Sequence, residues 1–386
     1  MGLKPVQALE LRVGALAAER LAAEGWHAEL FHGLIGASGG PKWLILGQLD
    51  RALYRELLSK RDSSLVAVGS SIGSWRHAML AQDDPIAAYD RFEEAYLAQH
   101  YSRAKPSIEE VTAVSDQLLQ AALGPDGARA VANHPWMRNH IVTARGRGLT
   151  NATGGGGLAL GLAVAALGNA ISRRTLPLSF DRVVFSHDSS YNSTVHTNTV
   201  HKTAHHTPHD ISMSGACPVT SRLLAGFNTH YVALTEHNVA RALKASGAIP
   251  YLFDGVIDVP GGPKGAYWDG GIIDYHFDLE ALSEDKLWLY PHFGAGVTRG
   301  WFDKFLPWRA GRRPSVDQLI MLCPSRAFLD QLPFKKIPDR RDFGKMPEAE
   351  RVRYWQHCVA ESQRLADELA ALVTGGGDPL DGACLL

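Results

Sequence analysis

Apolar and polar positions in the first eighty residues fall into a repeating pattern. Residues 28–36, AELFHGLIG, form a short apolar run that reads as a strand and ends in Gly36-Ala37-Ser38-Gly39-Gly40-Pro41-Lys42. Pro41 suits the first turn of a helix, and residues 43–58, WLILGQLDRALYRELL, continue with apolar positions at helical spacing. The pattern then recurs. Residues 65–73, LVAVGSSIG, are β-formers running into a glycine–serine turn, with helix-compatible sequence from Ser74 to about Ala81. Two successive strand–turn–helix units predict an α/β fold of three layers, α/β/α, around a mostly parallel central sheet.

The flanking pattern is mainly helical. Leu9, Val13, Leu16, Ala17 and Leu21 lie at helical spacing, so an N-terminal helix is expected over 8–24, within a leading segment 1–29. Residues 84–101 and 107–123 read as helices, the second opened by Ser107 with Glu110 three residues on, a capping-box signature. HIVTA at 140–144, FDRVVFS at 180–186 and residues 231–235 read as strands. So do 287–290 and 319–322, and 266–268 lead as a strand into Asp269-Gly270-Gly271. Helices are expected over 211–227 and 239–246. The clearest helix covers 348–373, with Val352, Trp355, Val359, Ser362, Ala366, Leu369 and Val373 on one face. The tail 375–386 is expected to fray. The division that follows is a catalytic domain over 30–280 and an extension over 281–386 packed on it, ending in the long helix.

Composition narrows the function classes. Charged residues make up 20% and hydrophobic residues 45% of 386, an ordinary globular balance, and the formal net charge of −1 supplies no field for nucleic acid. Cys217, Cys323, Cys358 and Cys384 are far apart and form no C-x-x-C, so a reduced, cytoplasmic chain is expected. Charges at Glu10, Arg12, Glu19 and Arg20 interrupt any signal-like run at the N-terminus. The most apolar stretch, GGGGLALGLAVAALG at 154–168, is too short for a membrane span and reads as a buried helix. Its glycines are not followed by G-K-[ST], so no nucleotide is expected there.

The candidate chemistry lies in three turns. Adjacent Gly39 and Gly40 after a strand and before a helix can aim backbone N–H groups at an oxyanion. Gly69-Ser70-Ser71-Ile72-Gly73 is a G-x-S-x-G elbow, in which flanking glycines let strand and helix pass closely and a strained serine stands above the sheet. Asp269 follows a strand and precedes Gly270 and Gly271, where the chain can leave sharply. Two rivals remain open. Ser38 lies in a second G-x-S-x-G, Gly36 to Gly40, which as a nucleophile would call for a conventional α/β-hydrolase with a histidine base. Asp254-Gly255 is a second Asp-Gly. His187, His196, His201, His205, His206 and His209 lie in a polar stretch at 187–212 that reads as a loop or lid rather than a metal site, since no H-E-x-x-H accompanies them. Trp301, Phe302 and Trp308, interleaved with Arg299, Lys304, Arg309, Arg312 and Arg313, are candidates for contact with a membrane or substrate.

With these turns in view, the chain resembles the patatin-like phospholipase family over about 30–276. That family has a glycine-rich oxyanion loop, a G-x-S-x-G some thirty residues later, and a downstream D-G-[AG]. Here these are Ser38 to Trp43, Gly69 to Gly73 and Asp269 to Gly271, in the same order. Residues 242–249, ALKASGAI, resemble the segment that precedes the family's catalytic aspartate. The oxyanion loop departs from the usual G-G-G-x-R-G by Ser38, Lys42 and Trp43, and Trp43 implies a differently shaped acyl entrance. The resemblance implies a patatin-like fold, hydrolysis of (phospho)lipid esters by a Ser71–Asp269 dyad through an acyl-enzyme, no cofactor, and peripheral contact with a membrane. A catalytically silent module that binds lipid or a partner is the alternative from a different class.

Overall fold

The computed structural model describes residues 6–103, 105–187, 194–195, 223–282 and 286–386. The two strand–turn–helix units form as the pattern predicts. Strand β1 (Leu9–Val13) and helix α1 (Ala15–Glu24) are followed by β2 (Phe31–Gly36), α2 (Gly47–Glu56), β3 (Leu65–Ser70) and α3 (Ile72–Leu80). Next come α4 (Pro85–Leu97), α5 (Ile108–Leu123), α6 (Gly127–Ala132), β4 (Met137–Gly146), α7 (Gly155–Ile171) and β5 (Phe180–Ser186). Short β6 (Thr194–Val195) precedes β7 (Thr229–Ala233), α8 (Val239–Gly247), β8 (Val256–Ile257) and β9 (Ala266–Asp269). The chain closes with β10 (Leu287–Pro291), β11 (Leu319–Pro324), α9 (Glu348–Glu361), α10 (Gln363–Thr374) and β12 (Cys384–Leu385).

The sheet runs β12-β1-β11-β10-β2-β3-β4-β5-β7-β6, with β9 paired to β4 and β8 to β9. Its centre, β11 through β4, is parallel throughout. Every residue of β3 is buried, as a strand covered by helices on both faces must be. Ser107 caps α5 as expected, its side chain accepting from the Glu110 N–H. Behind β3, the Arg76 guanidinium of α3 donates two bonds of 2.7 Å to Asp50 of α2, and the Tyr89 hydroxyl of α4 adds a third at 2.8 Å. A second buried fork joins Arg182 of β5 to Asp274 beyond β9. Each charge is paired and hydrogen-bonded, the condition under which ions tolerate burial.

Several expectations change. Leu9, Leu11 and Val13 also fit a period of two, and an antiparallel partner in β11 makes residues 9–13 a strand, so the N-terminal helix starts only at Ala15. Residues 281–386 do more than pack on the sheet, because β10 and β11 lie inside it between β1 and β2. The helix over 348–373 breaks at Ser362, whose buried hydroxyl donates back to the Val359 carbonyl at 2.7 Å and competes with the helical ladder. In the tail, β12 pairs in parallel with β1. Helix α7 is buried on one face only, through Leu158, Gly161, Ala165 and Asn169. Leu160, Val164, Leu167 and Ile171 line its opposite, exposed face. Among the described residues no helix is long and apolar enough to cross a membrane. Most of the helix expected over 211–227, and His196, His201, His205, His206 and His209, lie outside the described residues.

Candidate active site

Ser71 is the residue on which β3 ends and α3 begins. Its backbone sits at φ 54°, ψ −131°, a strained setting for a non-glycine residue that lifts the side chain off the sheet. Close approach makes the strain possible. A methyl group on Gly73 would lie 2.0 Å from the Gly36 carbonyl oxygen, so α3 passes the end of β2 at a distance that only glycine allows. The elbow is further held by Ser246 of α8. The Ser246 Oγ accepts from the Ser71 N–H at 2.8 Å and donates to the Val142 carbonyl at 2.7 Å, and the Ser74 Oγ beside it donates to the Ser71 carbonyl at 2.7 Å. The hydroxyl thereby both accepts and donates, tying the elbow to β4. Ser246 lies in ALKASGAI, which sequence reading placed in the right segment without giving the serine a task.

Asp269 meets Ser71 across the sheet. The Ser71 Oγ donates to Asp269 Oδ2 at 2.7 Å, and Asp269 Oδ1 accepts from the Gly271 N–H at 2.7 Å. A methyl group on Gly270 would fall 2.2 Å from the Val142 carbonyl, so Gly270 lets the chain turn tightly against β4 and brings the carboxyl over the elbow. Burial raises the Asp269 carboxyl above its ordinary value, against the lowering effect of the Ser71 and Gly271 hydrogen bonds and of Arg340 and Lys304 nearby. A raised pKa suits a carboxylate that must take a proton.

Gly39 and Gly40 lie beside Ser71 on a shared cavity wall, Gly40 at φ 57°. Neither N–H has a hydrogen-bond partner among the described residues, nor do those of Ile72 and Gly73 at the start of α3. Gly39 and Gly40 thus carry free donors in a wall that Ser71 shares, and the start of α3 at Ser71 favours negative charge. The rival serine is occupied differently. Ser38 is buried, with its Oγ directed at the carbonyl and hydroxyl of Ser70 at 3.2 and 3.1 Å. Among the described residues no histidine nitrogen is hydrogen-bonded to either serine. His77 packs behind the elbow against Gly36, held neutral by burial, its pKa lowered to about 3. Asp254 forms its backbone bond with Thr112, away from Ser71.

Two cavities flank Ser71. One, of about 460 Å³, is mainly apolar, with Ile72 and Trp75 of α3, Val111 and Leu118 of α5, Phe253 and Phe343 in its wall beside Arg103, Glu348 and Arg351. The other, of about 850 Å³, mixes Tyr275, Phe293 and Trp301 with Lys42, Lys304 and Arg340 in its wall. Both volumes fall in the range of small-molecule sites. Trp301 lines the larger of these two cavities and Trp308 is 60% exposed. Phe302 is only 6% exposed and packs in a core cluster under α7, so it cannot meet a membrane. Trp43 stacks on Phe92 at 4.2 Å inside the main core and does not line the acyl entrance, contrary to expectation. Among the described residues no three His, Cys, Asp or Glu side chains are grouped to hold a metal ion.

The family model for patatin-like phospholipase matches residues 51–277, which include Ser71, Ser246 and Asp269. No curated protein matches the chain significantly.

Proposed function

The chain belongs to the patatin-like phospholipase family, whose members hydrolyse lipid esters, and from that premise we propose that it is a serine acyl hydrolase working through Ser71 and Asp269. Asp269 accepts the Ser71 proton as Oγ attacks the ester carbonyl. The oxyanion is met by the N–H groups of Gly39 and Gly40. Asp269 then returns the proton to the departing alkoxide, leaving an acyl group on Ser71, and water activated by the same carboxylate releases the acid. Each oxyanion donor is expected to contribute about 3 kcal/mol to transition-state stabilisation.

The observation that carries the reading is the 2.7 Å hydrogen bond from Ser71 Oγ to a buried carboxylate with a raised pKa. The apolar cavity beside Ser71 is suited to an acyl chain. Peripheral contact with a lipid surface is supported by exposed apolar side chains at Trp308, Phe305, Leu167 and Ile171. Mass mapping of the residue labelled by a fluorophosphonate probe tests the proposal. A label on Ser71, lost in Ser71→Ala, is the expected result. A label on Ser38, or none on folded protein, overturns it.

A further inference from the structure

Helix α7 turns to solvent a face that water does not favour. Its 17 residues include no charge, and its one polar side chain, Asn169, is buried and donates to Asp303 at 2.8 Å. Leu160, Val164, Leu167 and Ile171 recur at helical spacing on the exposed side, along about 16 Å of an ideal helix. The apolar surface does not end with the helix. Leu178 stands exposed just beyond it. Arg309 donates to the Asn169 carbonyl at 2.6 Å and to Asp303 at 3.3 Å, and Arg173 reaches the same carboxylate at 3.3 Å. These bonds fasten residues 303–309 to the end of α7, so the exposed Phe305 and Trp308 stand beside it.

The charge around this surface has one sign. Residues 146–180 and 304–316 carry seven arginines and lysines and no aspartate or glutamate, in a chain of net charge −1. Arg147 is paired with Asp181, and Arg173 and Arg309 are paired with Asp303. Arg174, Arg312 and Arg313 are exposed and, among the described residues, form no ion pair. Arg174 follows Ile171 by three residues, and Arg312 holds the Trp308 carbonyl at 2.8 Å, so these cations adjoin the apolar side chains. Apolar side chains next to unpaired cations match a bilayer with anionic headgroups: the first enter the acyl boundary and the second meet the headgroups. They match a second copy of the chain poorly, because a two-fold contact would set the same cations against themselves.

We propose that α7 and residues 304–313 form the face that docks on an anionic bilayer, and that docking sets the rim of the larger cavity on the lipid. Phe305 belongs both to the exposed surface and to the wall of that cavity, which also holds Trp301, Ser71 and Asp269. An ester drawn from the bilayer along Trp301 and Phe305 reaches Ser71 without crossing bulk water. Asp303, bonded to Asn169, Arg173, Arg309 and the Gly300 N–H, holds helix and rim as one rigid surface. The entry route rests on the ester-hydrolase reading of Ser71, whereas the docking face does not, and the test separates the two.

Sedimentation is measured with vesicles of phosphatidylcholine and phosphatidylglycerol in about equal parts, and with phosphatidylcholine alone, on Ser71→Ala so that no turnover alters the lipid. The anionic vesicles are expected to bind at least ~10-fold more tightly than the neutral ones. Adding Arg312→Gln with Arg313→Gln, or Ile171→Asp, is expected to weaken that binding at least ~10-fold. Because these side chains are exposed, the melting temperature should hold. Leu385→Asp, equally exposed but on β12, should leave the binding unchanged. In the background with Ser71 intact, hydrolysis of a long-chain ester carried in the anionic vesicles is compared with that of a dissolved short-chain ester. The ratio of the two rates is expected to fall at least ~10-fold in the docking-face variants. If Ser71 is not the nucleophile, the ester arm loses its meaning while the sedimentation result stands. Equal binding to both kinds of vesicle, or variants that sediment undiminished, overturn the docking face, and an unchanged ratio overturns the entry route. A dimer in sedimentation velocity that Ile171→Asp dissociates, without vesicle binding, assigns the face to a second copy and overturns the lipid role.

Discussion

At the residue scale, Asp269 sets opposite demands on stability and activity. Its folded carboxyl titrates above the ordinary value of about 3.9 because burial disfavours the charge. Below the unfolded value both states are protonated and the group has no effect on folding. As pH rises the unfolded chain ionises first, so stability falls until the folded carboxyl has also lost its proton, and the penalty then stays constant. Activity needs the carboxylate and therefore rises through the same folded pKa. The acid limb of kcat/KM is expected above the ordinary carboxylate range. Asp269→Asn is expected to lower kcat/KM at least ~100-fold while leaving the melting temperature at pH 8 no lower than that of the unaltered protein. An acid limb near pH 4, or a destabilised Asp269→Asn, would show that the carboxyl is not held as described. Ser38→Ala, whose hydroxyl is turned to Ser70 and makes no hydrogen bond to Asp269, should stay within a few-fold.

The elements explain why these residues meet. Helix α3 crosses the end of β2 where Gly73 and Gly36 touch, and a single methyl there collides with backbone rather than with a side chain that can swing away. Gly73→Ala is therefore expected to destabilise by about 1–3 kcal/mol, read by urea unfolding, and to remove fluorophosphonate labelling. Unchanged stability with full labelling would mean that the elbow has slack. Helix α7 behaves in the opposite way. Leu167 and Ile171 are 70% and 85% exposed, so Leu167→Lys should alter stability by less than about 0.5 kcal/mol. The same change is expected to reduce sedimentation with anionic vesicles if this face contacts lipid, and undiminished sedimentation would remove α7 from that role.

For the whole molecule, the chain's last hundred residues belong to the same sheet as its first seventy. Strands β10 and β11 fill the gap between β2 and β1, and α10 packs on α2. Truncation after Ala281 would leave β2 an exposed, apolar edge and strip β1 of its antiparallel partner. The expected product is aggregated or unfolded by size exclusion and circular dichroism, and a soluble, cooperatively unfolding fragment would refute this. The same closure brings Lys304, Arg340 and Phe343 to the walls around Ser71, so the part of the chain beyond the family's reach shapes the site.

The sequence by itself determined the fold class and the family, because period, glycine turns and the order of three motifs are local properties that survive without neighbours. It placed Ser71 and Asp269 in turns of the right kind for the same reason. Only the tertiary structure decided what depends on a partner distant in the chain. Residues 9–13 fit two periods until β11 offered hydrogen bonds. Ser38 and Ser71 shared one motif until contacts separated them, one with Ser70 and the other with a carboxylate 198 positions away. Ser246 looked like one more small residue in a helix. Lys42 was read as part of the oxyanion loop and Lys304 as part of a basic aromatic stretch, and only the fold brings both to one cavity wall with Arg340, since no local pattern records the meeting of side chains from three distant segments.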